Sequence, residues 1–279
     1  MIYKVEKYDI NENVAYIISD VDALASVELG DKEKKYVCET LETKTFASVN
    51  LYDSRRFFVK LKKGKTIDEQ RELVRNEGCK IADSLNALDC KSLAIVDLSG
   101  ADMALVFAEG VELANYRFNK YLSEKKKVSL VEVNVCGDVC EKEIASLNSL
   151  VKGVFIARDI VNEPLSYMTA KKLAETIEDV GKSCGFKTEI LDKKQIESLK
   201  MGGLLAVNRG SVEPPTFSIL KWEPENAINE KPYVLVGKGL VFDTGGYDLK
   251  PSSSMDTMKS DKSGGAAVVG TIAALAMAK

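Results

Sequence analysis

The chain has 279 residues, 45% of them hydrophobic and 29% charged, with a formal net charge of −3. Those proportions describe a folded globular protein, and the charge gives no reason to expect nucleic acid or an anionic membrane as a partner. Histidine is absent, which excludes HExxH zinc sites and the Ser-His-Asp and Cys-His nucleophilic hydrolases.

In chain order, "MIYKVEKYDINENVAYIISD" alternates like a strand and lacks the basic start and apolar core of a signal peptide. No apolar run approaches the length of a membrane span. The six cysteines read as reduced, buried apolar thiols of a cytoplasmic protein. Cys136 and Cys140 form the only close pair, with too few neighbouring donors for a metal.

"FFVKLKK" (57–63) predicts a strand, and 67–87 an amphipathic helix with Leu73, Ile81 and Leu85 on one side. "SLAIVDL" (92–98) is a continuous apolar run, as expected of a strand buried on both faces. A helix is expected over 101–126 and a strand over 128–135. Strands alternating with helices imply an α/β fold with a largely parallel sheet. Residues 141–164 repeat apolar positions at helical spacing up to Pro164, which predicts a long connecting helix. Beyond it come a helix opened by Thr169 (169–184), a strand (187–191) and a short helix near 193–200. Residues 201–215 read as a loop, and 217–222 and 232–237 as two more strands. "VGKSCG" (180–185) has Thr176 where a phosphate-binding loop needs glycine, and it ends a helix, so it is set aside.

The chemistry concentrates in "VGKGLVFDTGGYDLKPSSSMDTMKSDKSGGAA" (236–267). Lys238 is placed at the carboxyl end of an expected buried strand, where open α/β sheets hold their ligands. Asp243 precedes Gly245-Gly246, Lys250 follows, and Asp261 precedes an alanine-rich helix apolar on nearly every face and so expected to be buried. Taken singly, Asp261 could cap that helix, Asp243 could form a turn, and the lysines could be surface charges. Together, between two apolar elements, the four are better read as a site. Two carboxylates can hold a divalent cation without histidine, and a nearby amine can join them. A second, charged lysine can stabilise the oxyanion formed when water attacks a carbonyl.

These residues resemble the leucyl aminopeptidases of the cytosolic dinuclear-metal family. The likeness rests on "VGKGLVFDTGGYDLKP" and "MDTMKSDKSGGAA", and extends through "AEGVELANYRFNKY", "GVFIARDIVNEP" and "MGGLLAVNRGSVEPP". It implies Lys238, Asp243 and Asp261 as ligands of two divalent ions (zinc, manganese, magnesium or cobalt), with Asp243 bridging both. It implies Lys250 as the lysine that polarises the scissile carbonyl, and Met258 as lining for the substrate's first side chain. It further implies a peptide substrate cut at its N-terminus, with leucine-like preference, and a homohexamer.

The expected organisation is an N-terminal αβα domain over 1–140, a connecting helix over 141–164 and part of a catalytic domain over 165–279. Lys262 stands where the family usually has methionine, and Asp248 where it often has serine. These charges are expected to tune the site or to pair with each other. The family completes its site with a later Asn-Thr-Asp-Ala-Glu-Gly-Arg stretch, whose arginine holds a bicarbonate. That stretch is absent before Lys279, so the chain is expected to be a fragment, weak in metal binding and in activity. The competing reading is a non-catalytic binding or assembly module built on the N-terminal domain.

Overall fold

A computed structural model describes residues 1–9 and 11–279. The chain divides into two compact units, Met1–Asn148 and Ser149–Lys279, the division falling inside one helix.

The first unit is a three-layer α/β sandwich. Its six strands are β1 (Ile2–Val5), β2 (Val14–Ile18), β3 (Phe46–Asn50), β4 (Arg55–Lys60), β5 (Ser92–Asp97) and β6 (Glu132–Cys136), in spatial order β1-β6-β5-β2-β4-β3. Every neighbouring pair is parallel except β3 with β4. β2 is buried at all five positions, because both faces of the sheet are covered. Ala15 and Ile17 face one apolar cluster with Phe57, Val59, Leu93 and Ile95. Val14, Tyr16 and Ile18 face the other, with Phe58 and Ala94. This alternation is the two-residue period of a strand dividing one sheet between two cores. Helix α1 (Asp31–Thr43) closes the second core with Val37 and Leu41. Helices α2 (Ile67–Ala87) and α3 (Ala104–Ala114) close the first, with Val74, Ile81, Leu85, Phe107 and Val111. α2 opens with a capping box, Thr66 accepting from the Glu69 amide and Glu69 accepting from that of Thr66.

The helix expected over 101–126 stops at Ala114. Asn115 follows as its cap, donating from its side chain to Leu130 O and accepting from Asn86 Nδ2. Those bonds turn the chain toward β6 and end the helix, although Phe118, Tyr121 and Leu122 continue at helical spacing.

The second unit holds most of α4 (Glu141–Asn162), then α5 (Ala170–Cys184), β7 (Lys187–Leu191), α6 (Lys193–Ser198), α7 (Gly202–Asn208), β8 (Phe217–Lys221), α8 (Ser252–Met255) and α9 (Ser263–Ala278). β7 and β8 form an antiparallel pair. Two sequence expectations need correction. Residues 201–215 contain the helix α7. Residues 232–237 form no strand: Tyr233, Val234 and Val236 are 90%, 76% and 91% exposed, and no strand among the described residues pairs with them. An apolar run can be extended without being a strand when no ladder partner lies beside it.

The cysteine expectation also changes, since only Cys184 is buried, Cys140 is exposed and the other four are intermediate. Burial pushes the Cys136 thiol up to about 11, with the charge of Glu12 acting in the same direction. Cys140 is therefore expected to react with iodoacetamide at pH 8 at least about ten-fold faster than Cys136, because the thiolate is the nucleophile. Mass spectrometry of timed digests would read the order, and faster labelling of Cys136 would contradict it.

Candidate functional site

All five sequence-predicted site residues lie in the second unit, on two segments that the backbone draws together. The first runs through Gly237, Lys238 and Gly239 and lies directly against the start of α9. The Gly265 amide donates to Lys238 O at 2.7 Å. A Cβ on Gly237 would stand 2.5 Å from Gly264 O, so the approach is open only to glycine. This contact carries Lys238 Nζ to 2.9 Å from Asp261 Oδ1.

Asp261 belongs to the 3-10 turn Asp256–Lys262 that leads into α9. It does not cap that helix, whose N-cap is Lys262 with no side-chain capping bond. Its second oxygen, Oδ2, is buried and has no hydrogen-bond partner. An unpaired buried carboxylate oxygen is costly; Lys238 compensates the charge at Oδ1 but makes no bond to Oδ2, which leaves that oxygen open to a ligand.

Asp243 sits at a turn and is satisfied on both oxygens. Oδ1 accepts from the Gly245 amide and Oδ2 from Lys250 Nζ, both at 2.9 Å. Gly245 takes φ +93° and would drive a Cβ to 2.3 Å from Asp248 O, so the turn depends on glycine. The Lys250 hydrogen bond, then the Gly245 amide, hold the Asp243 carboxyl below its usual range, and the field of Lys238 adds to them. Lys250 Nζ also lies 3.1 Å from Met258 Sδ. The structure thus forms two ion pairs, Lys238–Asp261 and Lys250–Asp243, and the charge of the first is felt by the second. Asp243 retains its turn-forming role as well. The Asp261 geometry has no such local explanation.

Lys262, expected to tune the site or to pair with Asp248, has a more definite place. It is fully buried, and its ammonium donates to the carbonyls of Val161, Glu163 and Lys259. Burial pushes its pKa below the usual lysine value, Lys259 acts the same way, and Glu163 opposes both. Two of these carbonyls lie at the C-terminal end of α4, where a cation is favoured by the helix dipole. Lys262 therefore ties the turn that carries Met258 and Asp261 to α4. It does not pair with Asp248, which is exposed. No short-range signal in the sequence indicates the tie to α4, because two of the three partners are backbone carbonyls about a hundred residues away.

α9 was expected to be buried all round, and it is buried along one stripe. Ala266, Val269, Gly270, Ala273 and Ala276 face the interior, while Leu275 is exposed.

Among the described residues, no cluster of three His, Cys, Asp or Glu side chains could hold a metal. The two aspartates and Lys238 nevertheless fit part of a cation site, since carboxylate oxygens suit hard and borderline divalent ions and Asp261 Oδ2 stands free.

Residues 155–279 match the catalytic domain of the cytosol aminopeptidase family. A probable cytosol aminopeptidase of Chlorobium limicola is 37% identical over 249 residues, covering 76% of this chain and 49% of the relative. One of Clostridium perfringens is 35% identical over 226 residues, covering 76% and 46%. The chain thus spans about half the length of the curated relatives it matches. A mutant of tomato leucine aminopeptidase shares the fold, with TM-score 0.78, 24% identity, 99% of this chain and 59% of that one. The bottromycin maturation enzyme BotP, solved in complex with Mn, has TM-score 0.74 and 26% identity, covering 96% of this chain and 56% of that one.

Proposed function

Since this chain belongs to the cytosol aminopeptidase family, we propose that it forms part of a metal-dependent exopeptidase that releases N-terminal residues from peptides. The observation that carries the reading is the buried, unpartnered Asp261 Oδ2 beside Lys238, with Asp243 electrostatically coupled to the same lysine. Lys238, Asp243 and Asp261 would hold divalent metal, Asp243 serving two ions. When bound, such ions lower the pKa of water and polarise a carbonyl.

The chain's own groups do the remaining work. Asp243 holds the half-buried Lys250 ammonium close to Met258. From there the ammonium can meet the negative charge that develops on the scissile carbonyl oxygen. Met258 offers an adaptable apolar wall for the first side chain of the peptide, which suits a leucine-like residue. Zinc, manganese, magnesium or cobalt, a bicarbonate base, a homohexamer and a cytoplasmic location belong to the same proposal. No described helix is long and apolar enough to cross a membrane. The reading as a non-catalytic module has no observation in its favour comparable to Asp261.

The test is metal binding at this site. Manganese added to the chain should lose its free-ion electron paramagnetic signal saturably, and Asp261→Asn should weaken binding by at least about ten-fold, by removing a charged ligand. Equal binding by the wild-type and Asp261→Asn proteins would defeat the assignment. In a peptidase-active form, Lys250→Ala should lower kcat by about 10²–10³, the usual effect of removing one oxyanion donor.

A further inference from the structure

The sheet of the first unit ends at β3, and that edge is open. β3 pairs only with β4, in register from Phe46↔Val59 to Asn50↔Arg55. The Lys60 amide donates to Thr45 O and the Leu51 amide to Ser54 O. Bonded positions alternate along an antiparallel ladder, so the odd-numbered residues of β3 spend their backbone groups on β4. The N–H and C=O groups of Phe46 and Ser48 therefore face outward, with no strand beyond them among the described residues.

A groove of about 480 Å³ lies along this edge. Tyr36, Thr40 and Thr43 line it from one flank of α1, Lys44 from the turn before β3, and Lys62 from beyond β4. Both lysines are exposed, and no lining residue is acidic. An open strand edge beside a helix-walled groove is the geometry by which extended peptides add a strand to a sheet. Main-chain bonds supply affinity in that mode, and the flanking side chains select the sequence.

We infer that the β3 edge is a docking site for an acidic peptide segment in extended conformation. Its backbone pairs with Phe46 and Ser48, and its carboxylates meet Lys44 and Lys62. A second copy of this chain fits poorly. Charged side chains at a strand edge discourage edge-to-edge pairing.

The probe is a fluorescein-labelled peptide of alternating glutamate and valine, titrated with the full chain by fluorescence anisotropy. Saturable binding is expected, with none for the lysine–valine counterpart. Ser48→Pro removes an outward donor that the ladder does not use, a position an edge strand tolerates, and should weaken binding at least about ten-fold. Charge reversal at Lys44 and Lys62 together should weaken it comparably, with circular dichroism confirming that both variants fold. Absence of saturable binding, or undiminished binding by the folded variants, would overturn the inference. Self-association that Ser48→Pro abolishes would overturn it too, in favour of a second copy.

Discussion

Replacing Lys262 with alanine is expected to destabilise the second unit by about 2–5 kcal/mol, the range for truncating a long buried side chain to alanine. The wild-type ammonium is fully buried and spends its donors on Val161 O, Glu163 O and Lys259 O. Alanine leaves those carbonyls without a donor and opens a cavity the length of the lysine stem, and both effects act in the same direction. Lys262→Met fills the volume without the donors. It also removes the cost of burying a charge, so its loss should be smaller, about 0–2 kcal/mol. The readout is urea unfolding followed by Trp222, the only tryptophan, which packs beside Ala273 and Ala276 in the second unit. A shift under about 1 kcal/mol for Lys262→Ala would show that the carbonyls find other partners.

Gly237→Val carries the second large effect. Its Cβ would lie 2.5 Å from Gly264 O and 2.7 Å from Gly265 Cα, and both neighbours are backbone at the start of a helix, with no flexible side chain to yield. The segment through Gly237 must move away from α9, at a cost of about 1–3 kcal/mol by overpacking alone. The Gly265–Lys238 hydrogen bond at 2.7 Å is lost with it. Lys238 is then carried away from Asp261, so the variant should lose manganese binding by more than its stability loss explains. Binding measured well below the unfolding midpoint separates the two effects. Retained wild-type affinity would show that the site does not need this backbone contact.

The parts of the fold legible in the sequence are those whose cause is local. The 67–87 helix follows from its apolar spacing and its Thr66–Glu69 cap, and the buried strand at 92–97 from its continuous apolar run. The 101–126 expectation ran too long, because what ends α3 is Asn115 reaching Leu130 and Asn86. Neither partner is visible in a helical period. The 232–237 segment failed as a strand for a related reason: β-propensity describes one chain, whereas a ladder needs a second one beside it.

The sequence by itself determined the kinds of group in the site and their spacing: two lysines, two aspartates and a methionine between glycine turns, with histidine chemistry excluded. It also determined the αβ alternation that makes a parallel sheet. Only the tertiary structure decided that Lys238 meets Asp261 and Lys250 meets Asp243, that Asp261 keeps one buried oxygen unpaired, and that Lys262 turns inward to clasp α4. Side-chain chemistry and periodicity are written residue by residue. Which charges meet depends on backbone approaches such as Gly237 to Gly264, set by contacts between segments distant in the chain.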